Sequence, residues 1–318
     1  MPVVLALDVG GTKLAAGVVD DTGRVRSRSR VPTPATGTAE ALYEALLVCA
    51  TAALRGADVA PYDLDGVGVA CGGPMRWPDG AVSPLNIPAW RDFPLRRRLA
   101  AEFDGQPVLV HNDAVALAAG EHWKGAGAGR SHLLAMTVST GVGGGLVLGG
   151  RLHHGASGNG GHVGHLVVEP DGPPCACGGR GCLEAVASGP RTVARALAEG
   201  WTPPEDDHAD GRALAAAAAT GDKIATASLT RSGQAVGRAL ASCANLLDLE
   251  VAAVAGGLAE AGPSFWDPLR QTFAIHARMT FAAACRITPA RLGADTVLLG
   301  AAAFLLLGDR YGWPIPPT

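Results

Sequence analysis

The chain has 318 residues, 48 % of them apolar and only 5 % aromatic, with a formal net charge of −3. That length suits two domains with cores built from Ala, Val and Leu, and the charge leaves no electrostatic footprint for nucleic acid or an acidic membrane surface. The cysteine count is seven, an odd number, and Cys49, Cys71, Cys243 and Cys285 are scattered; this argues against a disulfide framework and for a reducing, cytoplasmic setting.

The N-terminal stretch meets Asp8 too soon for a signal peptide. Residues 3–21, VVLALDVGGTKLAAGVVDD, read as strand, Gly-rich turn and strand. Glycine lets a turn's N–H groups approach phosphate without a Cβ in the way. Residues 40–55 read as a helix, 66–70 as a buried strand, and 72–90 as a loop rich in Pro and Gly. A helix over 95–102 and a strand over 108–110 follow, the strand ending at His111-Asn112-Asp113. Residues 114–123 are helical and 125–129 form a turn. Residues 133–155, LLAMTVSTGVGGGLVLGGRLHHG, then repeat the strand–turn–strand pattern about 130 residues later. Helices are expected near 189–199, 209–219 and 222–247, with an exposed loop at 200–208. A strand at 251–255 meets Gly256-Gly257, and helices run on to the end. The apolar run 298–307 is too short to span a bilayer and reads as a core helix.

Neither Gly-rich turn leads into a helix, as a P-loop or a Rossmann turn would. Two such turns, one in each half, point to a duplicated α/β fold with nucleotide bound between two lobes. This is the arrangement of the actin-like, ribonuclease-H-like ATPases; the other reading is two unrelated hairpins in a Gly-rich protein. The lobes are placed at 1–113 with a returning helix at about 297–318, and at 114–296. Asp8 beside Gly10, Gly11, Thr12 and Lys13 suits a Mg²⁺ and phosphate contact. Thr140, Gly141 and Gly143 form the second phosphate turn, and Gly256-Gly257 has two readings, an ordinary loop or a third nucleotide contact. Asp113 has two readings, a general base for an attacking hydroxyl or a helix N-cap.

The segment 161–188 packs Cys175, Cys177 and Cys182 into eight residues, with His162 and His165 just upstream. Thiolates and imidazole at this spacing suit a structural, tetrahedral Zn²⁺ site; the other reading is reduced, buried cysteines in a Gly-rich loop. The run also resembles the signature of the ROK family of sugar kinases and repressors, roughly E-x-G-H, a spacer, then C-x-C-G-x-x-G-C-x-E. Gly164-His165, Cys175 to Gly178, Gly181-Cys182 and Glu184 match it. His162 stands where the signature has its first Glu.

The resemblance implies zinc ligands His165, Cys175, Cys177 and Cys182, with His162 as an alternative to His165. It implies a sugar site of Asn86, Asn112, Asp113, His162, His165 and Glu184, with Asp113 as the base and Trp90 packing rather than stacking. The implied activity is ATP- and Mg²⁺-dependent transfer of the γ-phosphate to the 6-hydroxyl of a hexose, glucose first. Other implied substrates are N-acetylglucosamine, N-acetylmannosamine or a cyclitol. A non-catalytic sugar-sensing regulator is the reading of another class. No nucleic-acid or membrane partner is expected, and family analogy implies a homodimer or a dimer of dimers.

Overall fold

The computed structural model describes residues 1–34, 37–204 and 208–312. Residues 205–207 of the expected exposed loop and 313–318 of the expected returning segment lie outside the described residues. The chain divides into two compact units: Met1–Gly129 with Gly145–Gly160 and Arg291–Thr318, and Arg130–Gly144 with Gly161–Ala290.

The first unit opens with β1 (Val3–Val9), β2 (Lys13–Asp20) and β3 (Val25–Pro32), then α1 (Ala39–Ala57) and β4 (Gly66–Cys71). A short hairpin of β5 (Met75–Arg76) and β6 (Ala81–Val82) interrupts the stretch read as loop. Next come α2 (Leu95–Glu102), β7 (Val108–Asn112) and α3 (Asp113–Lys124). The sheet order is β3-β2-β1-β4-β7, with β1, β4 and β7 parallel and the β1–β2–β3 meander antiparallel. β4 is buried along its whole length, as a strand covered on both faces must be. β3 reads as polar because every second residue faces solvent.

The second unit begins at β8 (Leu133–Val138); β9 (Val142–Leu148) crosses the unit boundary, and β10 (Arg151–Leu152) falls in the first unit. Helices α4 (Leu183–Ala187), α5 (Gly189–Ala198), α6 (Gly211–Ala219) and α7 (Lys223–Leu247) precede β11 (Val251–Ala255). Then come α8 (Pro263–His276), α9 (Thr280–Ala283) and β12 (Arg286–Pro289). This sheet has the order β10-β9-β8-β11-β12, the same sequence of crossings as the first. The duplication expected from the two Gly-rich turns is therefore a duplication of whole sheets. β12 corrects the expectation of helices to the end. Its four residues show no apolar run, and parallel pairing with β11 makes them a strand. Pro289 is tolerated at that edge, where no partner needs its N–H.

The chain returns to the first unit through α10 (Thr296–Leu306) and α11 (Gly308–Tyr311). Three glycines let α10 seat directly on backbone. A Cβ on Gly68 would run into the Ala301 carbonyl, one on Gly300 into the Ala116 carbonyl, and one on Gly120 into the Thr296 carbonyl. Glu121 of α3 is fully buried. Its carboxylate accepts the N–H groups of Ala126 at 2.7 Å, Arg291 at 3.0 Å and Leu292 at 3.1 Å. A buried anion is stable only with such donors. Here they come from the two points where the chain is about to leave the first unit and has just rejoined it. Among the described residues no helix is long and apolar enough to cross a membrane.

Candidate active site

In the first unit the candidate residues gather at the carboxyl ends of parallel strands, where α/β sheets present side chains to ligands. The register aligns Asp8 of β1 with Ala70 of β4 and His111 of β7, and in the next row Val9 with Cys71 and Asn112. Asp113 follows as the first residue of α3. The helix is capped by Asn112, whose Oδ1 accepts the Ala114 N–H at 2.9 Å; Asp113 Oδ1 takes the same N–H at 2.8 Å. Asn112 thus fills the N-cap position that was one of the two readings of Asp113.

Burial pushes the Asp8 carboxyl up to about 6, helped by the negative charge of Asp113 and opposed by Lys13 and Arg30. The fully buried Cys71 thiol is also pushed up, by burial and then by both carboxylates. Oxygens held this way suit a hard divalent cation, which would offset the cost of ionising Asp8. A raised carboxyl keeps its proton in the folded state after the unfolded chain has lost it, so it lowers stability as pH rises from about 4 to 6. Asp8→Asn is therefore expected to be more stable than wild type at pH 7.5 by up to about 3 kcal/mol. Denaturant unfolding at pH 4.5 and 7.5 checks this; curves that shift equally in both proteins would refute it.

The Gly10-Gly11 turn is closed by the Gly10 N–H donating to the Lys13 carbonyl at 3.1 Å. Thr12 and Lys13 are exposed beside it. Asn86 lies over this turn: a Cβ on Gly11 would come within 2.6 Å of Asn86 Nδ2, and one on Gly72 within 3.6 Å of Asn86 Oδ1. The neighbouring Gly73 faces Asn112 Nδ2 in the same way, at 3.4 Å. Asn86 and Asn112 are thus gathered around the Gly72-Gly73 backbone. Trp90 is fully buried, stacks on Phe93 with ring centroids 4.4 Å apart, and donates its indole N–H to the Ala39 carbonyl.

In the second unit the β8–β9 turn holds Ser139, Thr140 and Gly141, closed by the Ser139 N–H on the Gly141 carbonyl. Glu184 Oε2 accepts the Val142 N–H at 2.9 Å, so this carboxylate supports the turn. Gly143 lies inside β9, past the turn. Gly144 is a packing glycine, because a Cβ there would strike Val163. The turn opens on a pocket of about 570 Å³, walled by Val193 and Leu197 of α5, Ala215 of α6, and Leu258. Gly257 also lines the pocket, while Gly256, at φ 96°, presses against the Val138 backbone. An apolar slot next to an N–H-rich turn suits a flat base attached to phosphates. The α5 wall was not identified from the sequence; its signal is Leu197, an exposed leucine four residues after Val193.

The ligand atoms of His165, Cys175, Cys177 and Cys182 all lie within 4.8 Å of one another. Cys177 Sγ is 3.7 Å from Cys182 Sγ, and Cys175 Sγ is 3.8 Å from His165 Nδ1. A tetrahedral zinc with ordinary bond lengths separates its ligands by about 3.5–3.8 Å, so the residues fit the ion. Gly178 at φ 90° and Gly181 at φ 68° let the loop turn back, and a Cβ on Gly181 would run into the Glu169 carbonyl. The His162 ring lies 6.2 Å from the His165 ring and outside the four-residue cluster.

Two sheets of one topology, each with a Gly-rich turn between its first two strands, define the class: a two-lobed α/β protein of the actin-like, ribonuclease-H-like ATPase fold. The chain belongs to the ROK family, which it matches over residues 4–307. It is 34 % identical over 321 residues to the glucokinase of Thermotoga maritima, covering 97 % of this chain and 98 % of that protein. It is 42 % identical over 265 residues to an N-acetylmannosamine kinase of Citrobacter koseri, covering 80 % and 84 %. A crystal structure of a ROK family glucokinase from Streptomyces griseus, in complex with glucose and AMPPNP, superposes with a TM-score of 0.81 at 34 % identity, covering 96 % of this chain and 100 % of that one.

Proposed function

We propose that the chain is an ATP-dependent sugar kinase that moves the γ-phosphoryl group to the 6-hydroxyl of a hexose, with glucose as the first substrate. The observation that carries this reading is Asp113, set at the end of a parallel strand on a helix capped by its neighbour. In the proposed step the sugar O6 attacks the γ-phosphorus, its proton passes to Asp113, and the bond to the β-phosphate oxygen breaks to release ADP. The Gly10-Gly11 and Thr140-Gly141 turns offer N–H groups to the phosphates, and the pocket beside Leu258 takes the base. A Mg²⁺ ion bound with the nucleotide would supply charge neutralisation, and Asp8 would be the carboxylate that holds it. In the first unit Asn86 and Asn112 are the candidates for holding sugar hydroxyls, and in the second unit His165 and Glu184 are. His165, Cys175, Cys177 and Cys182 would hold a structural Zn²⁺, which would supply no chemistry to the transfer step. Association of copies follows from family analogy, and sedimentation of the full chain measures it.

The second reading is a kinase for an amino sugar such as N-acetylmannosamine. It is favoured by the identity to the Citrobacter koseri protein and by His162, which stands where the family signature carries Glu. Neutral imidazole offers one acceptor in place of two carboxylate oxygens. His162→Glu is expected to raise kcat/KM for glucose, relative to the best wild-type sugar, about threefold to a hundredfold, the value of one or two hydrogen bonds. A coupled ADP-release screen over hexoses, amino sugars and cyclitols measures the ratio. An unchanged ratio removes His162 as the selector, and no sugar-dependent ADP release at all favours the non-catalytic sensing reading.

A further inference from the structure

His111 immediately precedes the Asn112–Asp113 pair, is fully buried in β7, and has no place in the proposed chemistry. Its Nδ1 accepts the backbone N–H of Asn112 at 2.8 Å. Its Nε2 lies 3.0 Å from His154 Nδ1. The two bonds fix the protons. An accepting Nδ1 must be bare, so neutral His111 carries its proton on Nε2. That proton points at His154 Nδ1, which must then also be bare, and the remaining His154 nitrogen is left for its hydrogen bond to the Gly312 backbone. A charged His154 would set two N–H groups against each other. Burial, and then the charge of His153, push the His154 imidazole down to about 4, which keeps it neutral. Trp77 stacks on His154 with ring centroids 5.5 Å apart, and Phe304 lies against His111 at 5.8 Å.

We propose that His111 and His154 form a positioning pair, in which His154 selects the tautomer of His111 that holds the Asn112 N–H and so aims Asn112 and Asp113. The proposal rests on Asp113 being the base. Neither imidazole takes part in the proposed transfer step. The backbone at Asn112 sets both the helix cap and the direction of the next side chain. An error on the order of 1 Å there costs about a hundredfold in rate.

The test uses the full chain and three variants. His154→Leu removes the acceptor for His111 Nε2–H. His154→Gln replaces it with an amide oxygen. Asp113→Asn reports on the base itself. His154→Leu is expected to lower kcat about tenfold to a hundredfold with KM for ATP and sugar held within about threefold, and His154→Gln to stay within about threefold of wild type. Two-bond ¹H–¹⁵N spectra of wild type are expected to show His111 protonated at Nε2 and bare at Nδ1. Leu and Gln variants with equal kcat, or a proton on His111 Nδ1, would overturn the pairing. The spectrum decides the matter even where His154→Leu does not fold. An active Asp113→Asn instead removes the base reading, whatever the histidines do.

Discussion

Asp113→Asn should turn over at least about 10²–10⁴-fold more slowly than wild type, the usual contribution of a general base. The substitution is a clean one here. Asn112 caps α3, and an asparagine at 113 keeps an oxygen for the Ala114 N–H that Asp113 Oδ1 now accepts at 2.8 Å. The helix start is preserved and only the proton acceptor is lost, so KM for ATP and sugar should stay within a few-fold. A second signature is linked to it. The Asp113 charge is one of the two causes that raise the Asp8 carboxyl. Removing it should lower the Asp8 titration midpoint, and the loss of stability expected between pH 4 and 6 should shrink. A variant that keeps more than about a tenth of wild-type kcat where chemistry limits the rate removes Asp113 from the base role.

The second large effect is expected at the Cys/His cluster. The protein should carry one zinc per chain, and Cys182→Ser should carry none. Zinc binding free energy is folding free energy. Even a loss of about 3 kcal/mol would lower Tm by roughly 4–5 °C in a protein of 318 residues. The loss should also reach the nucleotide. Cys182 is the residue before α4, and the Leu183 N–H donates to the Leu166 carbonyl at 2.8 Å, tying the helix start to the His165 turn. Glu184, in the first turn of α4, holds the Val142 N–H of the phosphate turn. Cys182→Ser should therefore raise KM for ATP as well as lower Tm. Zinc-free wild-type protein that was never exposed to chelator, with unchanged Tm, would show that the four residues form no metal site.

The features legible in the sequence are those made by neighbours along the chain. Asp8 with Gly10-Gly11-Thr12, the Ser139-Thr140-Gly141 turn and the Cys175–Cys182 knot each lie within a few residues, so spacing alone exposes them. The two-lobed class followed from the recurrence of one turn type. What sequence reasoning missed depends on distant partners. Glu121 reads as an ordinary helical glutamate, yet the Arg291 N–H that binds it is 170 residues away. His111 looks like a strand residue until His154 is brought to it from 43 positions on. Gly143 reads as part of the second phosphate turn but lies inside β9, and its neighbour Gly144 is required by Val163 packing. β12 is a strand because of β11, through a pairing that local propensity does not encode.

The most direct measurement incubates wild-type protein with Mg²⁺-ATP and glucose, then follows the phosphorus atoms by ³¹P NMR while ADP is assayed. The predicted result is one sugar phosphate per ADP, its phosphorus coupled to the two protons of C6, with N-acetylmannosamine run in parallel to rank the two readings. ADP release without a sugar phosphate, or no turnover with any hexose, amino sugar or cyclitol, would contradict the assignment of this chain as a sugar kinase.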